Sequence, residues 1–138
     1  MSVDIIVRGY HLDIYQHVNN GRYLEFLEES RWDFLGHHRL VEQFQERDLA
    51  IVVANININY RKPAVFGDVL RVSTSVAAIG NKSAKFSQEV WRLENGEPKD
   101  LVVDAVVTFC LLDDASQNAV VISGDVRAIL ESLLEIGA

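Results

Sequence analysis

Hydrophobic residues recur along this chain with two spacings, and each change of spacing marks where a strand gives way to a helix. Val3, Ile5 and Val7 alternate with polar neighbours, so a first strand is expected from Val3 to Gly9, before Tyr10-His11-Leu12-Asp13. From about Asn20 to Leu35 the spacing lengthens: Tyr23, Leu24, Leu27, Phe34 and Leu35 fall near one helical stripe, with Glu25, Glu28, Glu29 and Asp33 on the wetter sides. Val18-Asn19-Asn20-Gly21 marks the start of this main helix, because an Asn side chain can accept from the orphan amides of a first turn, and Gly36 marks its end. A short second helix is expected within Leu40 to Arg47.

Period-two alternation resumes at Leu49 and runs to Arg61, with Val52, Ala54, Ile56, Ile58 and Tyr60 on one face and Asn55, Asn57, Asn59 and Arg61 on the other. Pro63 ends that strand. Val69 to Ile79, Ser83 to Leu93 and Leu101 to Leu112 follow as strands, with Gly80-Asn81 closing the first and Glu94-Asn95-Gly96-Glu97-Pro98 turning the chain before the last. The last strand is apolar on both faces, which predicts a central place with both sides covered. Val126, Ile129, Leu130, Leu133 and Leu134 make a terminal amphipathic helix after Ser123-Gly124-Asp125. The pattern is α+β: an antiparallel sheet of about five or six strands around one long helix, with the second sheet face left for the terminal helix or another subunit.

Composition narrows the class. At 138 residues the chain is read as one domain, residues 1–138, and its 49% apolar content supplies a core without metal or disulfide staples. Thirteen Lys and Arg against twenty Asp and Glu give a formal charge of −7. No basic cluster offers a footprint for nucleic acid or for an anionic membrane. Cys110 is the only cysteine, so no internal disulfide can form, and a reducing, cytoplasmic compartment is expected. Met1 to Arg8 does not read as a signal peptide, and the apolar run Val102 to Leu112 is interrupted by Asp104 and Thr108 and is far too short to cross a membrane.

The concentrated polar segment is Tyr10 to Asn20, between a buried strand and the start of the main helix. A carboxylate at Asp13 facing unpaired amides near Asn19 to Gly21 offers what acyl transfer needs: a nucleophile or base, and donors for a developing oxyanion. The same placement suits an Asp that only caps or turns the backbone. A thioester is already activated and its thiolate leaves readily, so one carboxylate plus oxyanion donors would suffice for hydrolysis.

These residues also carry a resemblance. His11-Leu12-Asp13-Ile14-Tyr15-Gln16-His17-Val18-Asn19-Asn20 with Tyr23-Leu24-Glu25-Phe26-Leu27-Glu28 resembles the active-site loop and central helix of the 4-hydroxybenzoyl-CoA thioesterase-like hotdog family. Asn57-Ile58-Asn59-Tyr60-Arg61-Lys62-Pro63-Ala64, Gly67-Asp68 and Gly80-Asn81-Lys82-Ser83 are similar to later parts of it, so the likeness spans nearly the whole chain. Within the family, Arg8 to Asp13 with Tyr15 to Asn20 is most similar to the bacterial long-chain acyl-CoA thioesterase III enzymes.

The resemblance implies a hotdog fold and hydrolysis of long fatty acyl-CoA to free acid and coenzyme A. It implies no cofactor beyond the coenzyme A of the substrate, and a homodimer or homotetramer. It places Asp13 as the catalytic carboxylate and the amide of Asn20 or a neighbour as the oxyanion donor. His17 and Asn19 would shape the loop, with Tyr23 and Asn57 on the substrate side, and Lys82 and Ser83 would meet coenzyme A phosphates, often across a subunit interface. Two positions depart from many relatives, which carry Asp where His11 stands and Gly where Gln16 stands. The rival expectations are a thioesterase for short, aromatic or carrier-protein-bound acyl groups, and a non-catalytic acyl-CoA-binding module in which Asp13 is a cap.

Several residues admit plainer readings. The histidines His11, His17, His37 and His38 form no zinc pattern, and Cys110 on an apolar strand reads as a small core residue. His17 is either a partner of Asp13 or a group that orients the loop. The asparagines of the long strand line a polar pocket or face solvent, and Lys82 is a phosphate contact or a turn cation. Glu25, Glu28 and Glu29 read as a solvated face unless Glu25 points back at Asp13, and Tyr23, Phe26 and Trp32 read as packing.

Overall fold

Residues 1–134 are described by the computed structural model, and their alternating segments pair into one antiparallel sheet. The strands are β1 (Ser2–Ile6), β2 (Leu49–Tyr60), β3 (Val69–Ile79), β4 (Ala84–Glu94) and β5 (Glu97–Asp113), and they lie in the order β1-β3-β4-β5-β2. The helices are α1 (Asn20–His37), α2 (Leu40–Gln45) and α3 (Gly124–Leu134). Every expected element is present, with ends displaced by a few residues at most. Strand β1 stops at Ile6 instead of Gly9, because Val7 donates instead to the Asp68 carbonyl (2.9 Å) and the chain then enters a 3-10 turn over Gly9–His11. Strand β5 starts earlier than expected. Asn95 and Gly96 both take positive φ (54° and 81°), which closes β4 onto β5 through two residues and lets pairing begin at Glu94 and Glu97.

Helix α1 lies across one face of the sheet and buries Tyr23, Phe26, Leu27, Ser30, Arg31, Phe34 and Leu35. Two apolar clusters meet beneath it. One joins its first half to β1 and to residues such as Leu70, Val90 and Val103; the other joins its last turns to α2, Phe86, Phe109 and the α3 residues Val126, Leu130 and Leu133. The expected helical stripe is corrected at one position: Leu24 is 40% exposed and Phe26 is buried in its place.

The second sheet face is where the expectations change. Helix α3 packs into the Phe34–Phe86 cluster, on the same face as α1, so of the two covers expected for the opposite face only another subunit is left. Strand β5 has the expected interior place, between β4 and β2, but within one chain its second side is covered unevenly: Val103, Ala105, Val107, Phe109 and Leu111 are buried, whereas on the other side Val102 is buried, Cys110 is half-buried and Val106 is 39% exposed. Strand β2 is a sheet edge. Its Val52 and Val53 are each 41% exposed, and one edge of its backbone has no partner strand among the described residues. A register shift between Val53 and Asn55 also breaks the simple alternation expected along β2.

Polar groups hold α1 at a fixed rotation. The Ser30 hydroxyl lies 3.0 Å from the Val72 carbonyl and 2.7 Å from Thr74 Oγ1. Gln88, wholly buried on β4, donates to the Leu27 carbonyl (2.9 Å) and Thr74 Oγ1 (2.7 Å) and accepts from Arg31 (3.0 Å). Removing one member strands the others out of reach of water, which costs more than the bond itself contributes. Gln88→Ala is expected to lower stability by about 2–4 kcal/mol, read from the urea unfolding midpoint; a loss under about 1 kcal/mol would show that the network does not hold the helix.

Candidate active site

The segment between β1 and α1 is folded by its own hydrogen bonds. His11 is 6% exposed, and its Nδ1 accepts from the Arg8 amide (2.8 Å) while its carbonyl accepts from the Asn19 amide (2.8 Å). Its ring meets Phe26 edge-on at 5.0 Å. Val18 donates to the Ala64 carbonyl (2.9 Å), tying the segment to the β2–β3 connection. Between these anchors Asp13 to His17 form a tight loop: Asp13 donates to the His17 carbonyl (2.8 Å) and Gln16 to the Asp13 carbonyl (3.1 Å). Gln16 takes φ +64°, the left-handed region where glycine is at no disadvantage.

The Asp13 carboxylate is aimed by the same loop. Its Oδ1 accepts from the amides of Tyr15 (2.8 Å) and His17 (3.3 Å), and its Oδ2 has no partner among the described residues. At the start of α1 the Asn19 side chain caps the Gly21 amide (2.9 Å), and Arg22 donates to the Asn19 carbonyl (2.9 Å). The Asn20 amide is left without an acceptor among the described residues, at the positive end of an 18-residue helix.

Asp13, His17, Asn20 and Tyr23 together line a cleft of about 230 Å³, closed on its far side by Tyr60, Arg61, Lys62 and Pro63. Tyr60 joins the two walls by donating to the Asn20 carbonyl (3.1 Å). The Tyr23 hydroxyl is buried, with the Ala64 backbone as its one polar neighbour, and burial is the main cause pushing its pKa up to about 12, so the group keeps its proton. A free carboxylate oxygen, a free helix amide and a buried phenol in one cleft can attack or deprotonate, stabilise an oxyanion, and orient a carbonyl.

A family model described as "Thioesterase superfamily" matches residues 15–99. The chain belongs to the thioesterase superfamily. It is 44% identical over 135 residues to the long-chain acyl-CoA thioesterase FadM of Escherichia coli K12, covering 98% of this chain and 100% of that protein. A solved structure of the E. coli probable thioesterase YbaW is 45% identical and superimposes with a TM-score of 0.88, covering 97% of this chain and 98% of that one. The acyl-CoA thioester hydrolase YbgC of E. coli O6:H1 is more distant, at 29% over 79 residues, 56% of this chain and 59% of that protein. The superfamily's hotdog architecture is the one described above, an antiparallel sheet curled around a long helix.

Within a single chain the remaining expected residues of this superfamily member fall elsewhere. Asn19 is engaged as the helix cap and does not line the cleft. Asn57 sits exposed on the β2 edge, outside the cleft, and its neighbour Asn59 donates to Asp104 (2.9 Å). Lys82 and Ser83 lie at the β3–β4 turn, level with Val53, whereas the cleft is level with Tyr60; seven residues of strand, about 20 Å, separate them. Glu25 does not turn back to Asp13. It pairs with Arg22 (2.9 Å) and faces a separate groove beside Asp4 and Arg8. Tyr60, Arg61 and Lys62 escaped the sequence reading as cleft residues, since only the fold carries the end of β2 to the start of α1. Of the expected packing aromatics, Tyr23 and Phe26 are buried and Trp32 is 57% exposed. Among the described residues no group of three or more His, Cys, Asp or Glu could hold a metal ion.

His11, which is buried, and His38, which is half-buried, set a pH dependence. Desolvation, then the Arg22 charge, lowers the pKa of His11 below 6.5, and desolvation, then His37, lowers that of His38. The unfolded chain therefore binds these protons first as pH falls, so their contribution is complete above about pH 6.5 and is lost as pH drops through the folded-state values. The melting temperature is expected to fall between pH 7 and pH 5 and to fall less in His11→Asn; an equal slope in the variant would remove His11 as a cause.

Proposed function

We propose that this chain is an acyl-CoA thioesterase that hydrolyses fatty acyl-CoA, long chains included, to free acid and coenzyme A. The observation that carries it is the pairing, in one cleft, of the unpartnered Asp13 Oδ2 with the unpartnered Asn20 amide. The likeness to FadM over 98% of the chain supports both the reaction and the long acyl chain.

In this reading the thioester carbonyl oxygen accepts from the Asn20 amide, where the helix dipole favours the charge that develops on it. Asp13 serves as nucleophile or as general base. As nucleophile, Oδ2 bonds to the carbonyl carbon, the carbon–sulfur bond breaks to release coenzyme A thiolate, and water hydrolyses the resulting anhydride to acid and free Asp13. As base, Asp13 takes a proton from the water that attacks, and that proton passes to the departing thiolate. Both routes consume one water and give the same products, and neither needs a cofactor. His17 and Asn19 act through the loop: one amide holds Asp13 and one side chain caps Gly21, which leaves Asn20 free.

A second cleft of about 360 Å³ lies between α1 and the first half of β2, with no lining residue in common with the first, and is walled mainly by apolar side chains such as Phe44, Leu49, Ile51 and Phe86. It suits an extended acyl chain. The exposed β2 edge, with its unpaired backbone and apolar Val52 and Val53, is suited to pairing with a second copy, giving a homodimer, and by pairing of dimers a homotetramer. A second copy is also the route by which Lys82 and Ser83 would reach coenzyme A phosphates at a cleft about 20 Å from their own. Among the described residues no helix is long and apolar enough to cross a membrane, and a reducing cytoplasmic setting suits the single Cys110.

Asp13→Asn keeps an oxygen to accept from Tyr15 and His17 but removes the attacking or proton-accepting group. Release of free thiol from long-chain acyl-CoA is expected to fall at least about a hundredfold with the unfolding midpoint little changed. Retained turnover would make Asp13 a loop residue only.

A further inference from the structure

Arg31 is the most deeply buried charged residue of α1. It is 8% exposed, yet its single hydrogen bond goes to the neutral Gln88 Oε1 (3.0 Å), and no carboxylate oxygen among the described residues lies within 4.0 Å. A buried guanidinium usually sits against a carboxylate, whereas no Arg31 nitrogen is both sealed from water and unpartnered, so its remaining donors keep their access to solvent. Those donors border the 360 Å³ cleft between α1 and β2. Glu28, one turn earlier on the same helix, lines that cleft too and accepts from Trp32 (3.2 Å). The cleft thus holds a strong donor and a strong acceptor within walls such as Phe44 and Phe86.

We propose that Arg31 and Glu28 read an alcohol carried in mid-chain by the acyl group, so that hydroxyacyl-CoA esters are preferred substrates. The inference rests on the thioesterase reading above. An alcohol oxygen accepts from Arg31 while its hydrogen donates to Glu28, so one small neutral group meets both. A carboxylate cannot, since Glu28 and Asp114 both face the cleft and would repel it. A plain alkyl chain displaces water and offers the guanidinium nothing, and a site built for a hydrogen bond discriminates strongly against the analogue that lacks it.

Geometry places the alcohol beyond the carbons next to the thioester. Gln88 is level with Ala105 and Ile58, two residues of strand, or about 7 Å, from the level of Tyr60. Along α1 the rise from Asn20 to Arg31 is about 16 Å. An extended chain advances roughly 1.2 Å per bond, so the alcohol lies between about six and thirteen bonds from the carbonyl.

The test compares kcat/KM, from free-thiol release, for coenzyme A esters of equal chain length: unsubstituted, hydroxylated at successive positions, and ω-carboxylated. The wild type is expected to favour hydroxy esters in that span by roughly tenfold or more and to disfavour the ω-acid. Arg31→Met is expected to bring the hydroxy-to-plain ratio to about one. Glu28→Ala, at an exposed position that folding does not depend on, is expected to lower the ratio in part, which keeps the proposal open to test if Arg31→Met does not fold. A wild-type ratio near one at every position, or a ratio that neither variant moves, overturns the proposal. Hydrolysis of plain esters without any preference removes this inference alone, whereas hydrolysis of no ester removes the thioesterase reading and this one with it.

Discussion

The constraint on which the site depends is the rotation of α1 about its own axis. Apolar packing alone would tolerate some slippage of a helix on a sheet, because Leu27, Phe34 and their neighbours offer no directional bond. Ser30, Thr74 and Gln88 remove that freedom: their bonds reach the Val72 carbonyl on the sheet and the Leu27 carbonyl on the helix, and they close only at one angle. A step of one residue around the helix is about 100°, enough to carry Tyr23 out of the cleft and take the Asn20 amide away from Asp13. The chemistry at the first turn is thus held in place by hydrogen bonds made two to three turns further along.

Around that fixed helix, the loop from Arg8 to Asn19 works by accounting for nearly every backbone group. His11, Asp13, Gln16, Val18 and Asn19 all spend their amides on partners within the loop or on the β2–β3 connection. Asp13 Oδ2 and the Asn20 amide are left open by these bonds and stand ready for a substrate without first breaking a bond to the protein. The cost is local, and Gln16 carries it by adopting a conformation that disfavours side chains. His11 makes the loop possible only as the neutral ring, which is why its burial and its titration belong to the same description.

Much of this was legible in the residues, and the remainder has physical reasons for being hidden. The period-two runs located β2 to β4 to within a residue or two, and the pair Asn19-Asn20 marked the helix start because Ser, Asn and Asp act locally, with Asn19 turning out to be the cap. The Asp13 loop was legible as a constellation, since a carboxylate just before a helix start is a short-range pattern. Long-range placement was not. That α3 would share a sheet face with α1, and that Lys82 would lie at the far end from Asp13, depend on strand order, which periodicity does not encode. Tyr60 entered the cleft by the same route. The buried Ser30 and Arg31 left a faint trace, a polar pair within the apolar stripe between Leu27 and Phe34, but its partner Gln88 is 57 residues from Arg31. The covered state of β5 was overread because Val106 is apolar yet faces outward, beside the open β2 edge.

The account stands on one spatial claim, that the reacting carbonyl sits at the N-terminus of α1 beside Asp13. The most direct test is a crystal structure with an acyl-CoA analogue in which a methylene replaces the thioester sulfur, leaving a ketone that cannot be cleaved. The account predicts the ketone oxygen at about 3 Å from the Asn20 amide nitrogen, with the carbonyl carbon facing Asp13 Oδ2 and the alkyl chain running along the α1–β2 groove. A ketone bound away from that helix terminus, with Asp13 and Asn20 untouched, would contradict it.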